Sequence, residues 1–247
     1  MIADPYADRG SYRVLQRAGD LCYFRVSVDE TDLSIGAKRD LSREALAAVL
    51  EARRQVLEAI AARPRFRSSL EPLRSHGTET PLIRRMLEAG ALASVGPMAA
   101  VAGAIAEYVG RSLAPLSREV VVENGGDVFL FGAKARSVAV VAGGSPLSGL
   151  LAVSVTPGEG LGICTSSGTV GHSLSLGKAD AALVVAGDCA LADAAATRLG
   201  NLVSGPEGLD GALDAVCAIP GVLGALAVAG DKLGIKGDIV LQSVRGQ

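Results

Sequence analysis

Three short stretches of this 247-residue chain concentrate side chains able to do chemistry. The first is Asn124-Gly125-Gly126-Asp127, set between two apolar, strand-like segments. Paired glycines permit positive φ and let a ligand approach backbone N–H groups, while Asn124 and Asp127 add polar tips. The same residues suit a type I′ hairpin turn, which favours Asn-Gly, so a purely structural role stays open. The second stretch runs Cys164-Thr165-Ser166-Ser167-Gly168-Thr169-Val170-Gly171-His172-Ser173. Hydroxyls and loop N–H groups of this kind form a nest for an anion such as phosphate. His172 suits a general base, and Cys164 a nucleophile with His172 beside it. The plainer alternatives are a strand end followed by a polar loop, and a buried Cys164 acting as a small hydrophobe. The third stretch is Ala192-Asp193-Ala194-Ala195-Ala196-Thr197. Asp193 and Thr197 stand four apart on one helix face. Their hard oxygens suit magnesium, which completes its octahedron with water and substrate phosphate. The alternative is an acid placed near a helix start by the helix dipole.

Other constellations are weaker. Arg63, Arg65, Arg67, Arg74, Arg84 and Arg85 make residues 63–85 the most basic part of the chain. They read either as a solvated loop or as an anion-facing one, since arginine offers forked donors. The GxSxG, GxGxxG and GxxxxGK[ST] patterns are not met in strand–turn–helix contexts. A serine-hydrolase triad is poorly served by a chain whose two histidines are His76 and His172.

These stretches need a scaffold, and composition says what kind. Apolar residues make up 49% and the net charge is −2, which excludes a disordered chain and offers no basic footprint for nucleic acid. With 31 glycines and no tryptophan, the core must rely on Ala, Val and Leu with closely approaching backbones. Cys22, Cys164, Cys189 and Cys217 form no C-x-x-C pair and read as reduced thiols of a cytoplasmic protein. The N-terminus, acidic at Asp4 and Asp8, does not resemble a signal peptide. The uncharged stretch 89–106 is broken at Gly96-Pro97 and suits two buried helical pieces better than a membrane span.

Alternation predicts strands over 11–37, with a turn at Arg17–Asp20 and a strand over Thr31–Ala37. From Leu41 the spacing of Leu46, Val49, Leu50, Leu57, Ile60 and Ala61 predicts a helix, with Asp40 as N-cap and Pro64 ending it. Two helices separated at Gly96-Pro97 follow over Pro81–Gly110. Strands are expected over 119–123, 128–131, 137–141, 150–155 and 181–186, helices over 190–202 and 209–218, and a closing hairpin from 224–228 and 238–244 around Asp231–Gly234. Strands and helices come in runs, predicting an α+β fold with a mainly antiparallel sheet and packed helices.

In this order, Glu123-Asn-Gly-Gly-Asp127, Thr165-Ser-Ser-Gly168 and Ala192-Asp-Ala-Ala-Ala-Thr197 resemble motifs of the ApbE-like superfamily, the flavin transferases. The resemblance covers about residues 95–245 and implies a single ApbE-like domain over 1–247, with 1–115 more divergent and 116–247 bearing the motifs. That family moves the FMN half of FAD onto a threonine of a partner protein, using magnesium. The resemblance therefore implies that Asp193 and Thr197 hold the metal. It also implies that Asn124, Gly125, Gly126, Asp127, Thr165, Ser166, Ser167 and Gly168 face a flavin nucleotide, FAD or FMN. Where the transferases carry His-x-x-Asp-Pro-x-Thr-Gly, this chain has Thr169-Val-Gly-His172-Ser-Leu-Ser-Leu-Gly177, with no Asp-Pro. It looks closest to a cytosolic branch linked to sulfur handling in homocysteine synthesis. Three functions follow as expectations: a magnesium-dependent, transferase-like enzyme acting on a phosphate-bearing ligand with His172 moving the proton; a sulfur-transfer accessory protein using Cys164; or a non-catalytic binding or oligomerisation module. The partners expected are the small ligand, a protein and a second copy of the chain, without nucleic acid or membrane.

Overall fold

The computed structural model describes residues 19–166 and 177–244. Strands β1 (Cys22–Val28) and β2 (Thr31–Ala37) form a hairpin closed at Asp29, which takes a φ of 48°. The 21-residue helix α1 (Ser42–Ala62) follows. Its N-cap is Leu41, which makes no side-chain capping bond, rather than the expected Asp40. Asp40, one residue earlier, still accepts from the Ser42 N–H at 2.8 Å. The helix stops before Pro64 as expected. A single turn, α2 (Arg65–Ser68), leads to α3 (Pro81–Ala93), which ends at Ser94 in a left-handed conformation. Pro97 then opens a 3₁₀ turn (Pro97–Ala100) continuing into α4 (Val101–Leu113), where its missing N–H costs nothing. Among the described residues no single helix is long and apolar enough to cross a membrane, and α3 and the segment from Pro97 meet at a bend of 108°.

The remaining elements are β3 (Val120–Asn124), β4 (Asp127–Gly132), β5 (Arg136–Ala139), β6 (Leu151–Val155), β7 (Gly158–Ser166), β8 (Ala181–Ala186), α5 (Cys189–Leu202), α6 (Leu209–Cys217), β9 (Val222–Ala229), β10 (Lys232–Gly237) and β11 (Val240–Ser243). The main sheet has eight strands in the order β1-β2-β3-β4-β7-β8-β9-β10, every neighbour antiparallel. A smaller sheet, β11-β6-β5, is also antiparallel. The α+β class with a mainly antiparallel sheet is what the sequence predicts.

The main sheet lies between two apolar layers. On one face, α1 and α3–α6 bury Val49, Met86, Ile105, Leu199 and Leu213 against Ile35, Val122, Phe129 and Val184. On the other, the small sheet supplies Val138 and Val153 against Leu130, Ile163, Leu183 and Leu226. Strand β8, Ala-Ala-Leu-Val-Val-Ala, is therefore buried at every position, which accounts for its unbroken apolar run.

Three further expectations are corrected. The tail is not a hairpin of 224–228 with 238–244: β9 pairs with β10, and β11 crosses to β6. Gly158–Ser166 is a full strand although three alternate glycines in it, Gly158, Gly160 and Gly162, argue against one. Helix α1 forms, but its inward face is Ala45, Ala48, Val49, Ala52 and Val56. Leu46, Leu50 and Leu57 of the expected pattern face outward at 41%, 51% and 56% exposure. Tyr12, Val14 and Gln16 lie outside the described residues.

Candidate functional site

The β3–β4 hairpin carries the first predicted motif. Asn124 pairs with Asp127 across a two-residue turn, and Gly125 and Gly126 take φ of 68° and 112°. Side chains rarely adopt such angles, so the paired glycines are what the turn requires. The structural reading of the motif thus holds, and it brings two buried polar side chains together at one end of the main sheet. Asn124 Nδ2 donates to the Ala102 carbonyl at 3.0 Å. The Gly126 N–H donates to Glu123 Oε1 at 3.1 Å.

Across the sheet, Asp127 stands opposite Cys164 in the β4–β7 register. Cys164 and the Thr165 N–H sit beside the Asp127 carboxylate and favour its charged form, while the Cys164 sulfur lies 3.5 Å from the Cys189 carbonyl oxygen. Thr165 and Ser166 end β7 and are half-buried. Ser167, Gly168 and His172 lie outside the described residues.

Helix α5 reaches the same place from the helical layer. Asp188 caps it, accepting from the Leu191 N–H at 2.8 Å, and pairs with Arg85 at 3.0 Å. Arg85 of the basic stretch is thus engaged at a helix start. The Cys189 N–H is taken by buried Glu107 Oε2 at 2.7 Å, while Glu107 Oε1 accepts from Arg111 Nε at 2.7 Å. Asp193, one turn further on, turns its Oδ2 to the Gly103 N–H at 2.9 Å. The neighbouring Ala102 N–H also favours its charged form. These are first-turn donors of α4 that lack helical acceptors. Asp193 is therefore not the exposed acid of a helix start; it reaches across to hold a second helix. A Cβ at position 103 would lie 2.3 Å from the Cys189 carbonyl oxygen and 2.8 Å from Asp193 Cβ. Glycine there is what allows α4 and α5 to approach. Thr197 follows on the same face and is half-buried.

The electrostatics set this region apart. Burial is the main force raising the Asp127 carboxyl well above its ordinary value, and the charges of Asp193 and Glu123 add to it, against Cys164 and the Thr165 N–H. Asp193 keeps some surface exposure as a residue, but its carboxylate is desolvated. Burial pushes it up to about 7 despite the two N–H donors. Two neighbouring carboxylates that both resist ionisation call for a proton or a cation. The donor chemistry fits magnesium, which binds through one or two carboxylates and keeps several waters. Asp127, Asp193 and the Thr197 hydroxyl offer hard oxygens for it. Among the described residues no group of three His, Cys, Asp or Glu forms a fuller metal cage.

Cys164 departs from what a sulfur carrier requires. It is fully buried, and burial raises its thiol well above the ordinary value, as does the neighbourhood of Cys189. A reactive thiolate needs an electropositive, accessible setting, and the described residues around Cys164 supply carboxylates instead. A shallow, open groove of about 760 Å³ lies at the opposite ends of β4 and β7, lined by Lys38, Ser117, Arg118, Phe131, Gly158 and Glu159. None of the predicted site residues lines it. Sequence reasoning missed Glu107, Glu123 and Cys189. Glu107 carried a readable signal, the acid that ends the uncharged stretch 89–106 inside an expected helix.

Comparison with known proteins bears on this arrangement. The model of the family described as AbpE bacteria matches residues 13–213. The match reaches well before residue 95, so the N-terminal strands and helices belong to the shared pattern. A UPF0280 protein of Methanocella arvoryzae is 39% identical over 86% of this chain and 87% of its own. A UPF0280 protein of Archaeoglobus fulgidus is 42% identical over 73% and 75%. Among solved structures, the flavin transferase ApbE from Vibrio cholerae superposes with a TM-score of 0.58 over 89% of this chain and 96% of its own, at 12% identity. The ApbE protein of Thermotoga maritima gives 0.54 over 88% and 96%, at 14% identity. At such identities the likeness is one of fold.

Proposed function

The chain belongs to the family described as AbpE bacteria and has an ApbE-like fold, and on that premise we propose that it binds a phosphate-bearing flavin nucleotide together with magnesium. Asn124, the Gly125–Gly126 turn, Asp127, Thr165 and Ser166 face the nucleotide in this reading, and Asp193 with Thr197 serves the ion. Transferase-type chemistry on that ligand is the activity to look for, because the solved structures of this fold named above include a flavin transferase.

One observation carries the reading: two carboxylates from distant parts of the chain, Asp127 and Asp193, are both raised by burial, and the charge of Asp193 raises Asp127 further. Structural acids are normally paired with cations, because an uncompensated buried charge is costly. A bound magnesium ion would supply that compensation and draw phosphate charge towards it. Asp193 is held in place by the Gly103 N–H at the start of α4. Asn124 is held through Ala102. Thr165 and Ser166 carry hydroxyl donors suited to phosphate oxygens.

The test is flavin fluorescence titration of the purified full chain at micromolar FAD, with magnesium and with a chelator. Quenching that needs magnesium and weakens about tenfold or more in Asp193→Asn, roughly 1.4 kcal/mol, is the expected result. Absence of quenching with magnesium present would sink the reading.

A further inference from the structure

Cys164 and Cys189 come from different layers of the fold, yet their sulfurs lie 3.6 Å apart. Both residues have zero exposure. The approach is built into the backbone. Gly162, two residues before Cys164 on the same face of β7, has no side chain, and a Cβ there would lie 2.4 Å from Cys189 Cα. The bond between the Cys189 N–H and Glu107 fixes the start of α5 against this strand. Cys164 Sγ also lies 3.5 Å from the Cys189 carbonyl oxygen, so it packs against both the main chain and the side chain of its neighbour.

We propose that Cys164 and Cys189 are an oxidisable dithiol that closes to an intramolecular disulfide joining β7 to α5. The sulfurs need to approach to about 2.05 Å, about 1.5 Å closer than they stand. A peroxide is the oxidant. Burial raises both thiols above their ordinary value, so the reaction is slow and runs through the small thiolate fraction. In the first step that thiolate attacks an oxygen of hydrogen peroxide: an S–O bond forms, the O–O bond breaks, and the hydroxide released takes up the thiol proton as water, giving a sulfenic acid. In the second, the other thiol attacks that sulfur: an S–S bond forms, the S–O bond breaks, and a second water leaves. Two thiols lose two electrons and one peroxide gains them. Closure also takes the Cys164 S–H away from the Cys189 carbonyl oxygen, which it faces at 3.5 Å in the reduced protein. Cys22 is exposed and Cys217 is half-buried, and neither is part of the pair.

The test is oxidation of the full chain with a small excess of hydrogen peroxide, alkylation under denaturing conditions, and non-reducing peptide mapping. The expected outcome is a linked pair of peptides carrying Cys164 and Cys189, with those two residues protected from alkylation and released by dithiothreitol. The same treatment of Cys22→Ser/Cys217→Ser should lower the intact mass by about 2 Da, the two hydrogens lost in forming one disulfide. Cys164→Ala in that background should abolish the loss. Alkylation of both residues after oxidation, their recovery as separate sulfinic or sulfonic acids, or linkage of either to Cys22, Cys217 or a second chain would overturn the proposal.

Discussion

Asp193 carries two demands in one carboxylate. It satisfies first-turn N–H groups of α4, and it is buried beside Asp127 strongly enough to rise from 3.8 to about 7. Between those two values the folded protein holds a proton that the unfolded chain has released. Unfolding therefore sheds protons in this window, and stability falls as pH rises through it. Above about 7 the penalty is fully present. The shift sets an upper figure of about 4 kcal/mol, less whatever solvent screens. Without divalent cations, wild type should melt roughly 5 °C lower at pH 8 than at pH 5. Asp193→Asn, which keeps an acceptor for the Gly103 N–H, should flatten much of that dependence. Thermal melts across the window decide it, and a variant whose profile parallels wild type would show that Asp193 is not the titrating group. Asp193 and Thr197 could be picked out from sequence because four-residue spacing on a helix is local. The contact from Asp193 to Gly103 could not, because it joins positions far apart in the chain.

Elements here are positioned by small residues. The Gly103 and Gly162 contacts bring α4, α5 and β7 close enough for backbone, carboxylate and thiol groups to touch. Gly103→Ala should therefore cost about 1–3 kcal/mol through overpacking, and chemical denaturation would measure it. Stability unchanged within about 0.5 kcal/mol would mean that the helices separate freely. Helix α1 makes the same point on its inner face, where alanines leave no room. Ala52→Leu should destabilise by about 1–3 kcal/mol, whereas Leu50→Gln on the outward face should stay within about 0.5 kcal/mol. The reverse order of effects would turn the helix around. Periodicity in the sequence found this helix but not its orientation: larger apolar residues dominate a pattern count, while the closely packed face selects smaller ones. Strand β7 is legible in the sequence only as a strand end at Cys164 for a related reason, since Gly162 weakens the strand signal where the close approach of Cys189 requires it.

At the scale of the whole molecule, the sheet is covered twice. The order β1-β2-β3-β4-β7-β8-β9-β10 is sequential except for the excursion of β5 and β6 between β4 and β7, and β11 returns from the far edge to complete that excursion as a second sheet. The continuous apolar run of β8 hinted that both faces are buried. The sequence held no comparable sign of which residues cover the second face, because β11 pairs with a strand far earlier in the chain. The two layers divide the labour: the acids, thiols and helix starts of the candidate site lie on the helical side. The small sheet supplies apolar cover together with Arg136, whose guanidinium pairs with Glu119 at 3.0 Å and Asp20 at 2.7 Å, away from that site. Ending the chain after Gly237 should thus separate stability from site chemistry. It removes Ile239 and Leu241, packed against the second core, and the pairing of β11 with β6. A loss of roughly 2–4 kcal/mol follows from the apolar burial alone, with increased binding of a hydrophobic dye. The stability difference between pH 5 and pH 8 should survive in the shortened chain, since Asp193 and its α4 donors are untouched. If that pH dependence vanished along with the strand, the two faces of the sheet would be coupled, and the site could not be assigned to the helical layer alone.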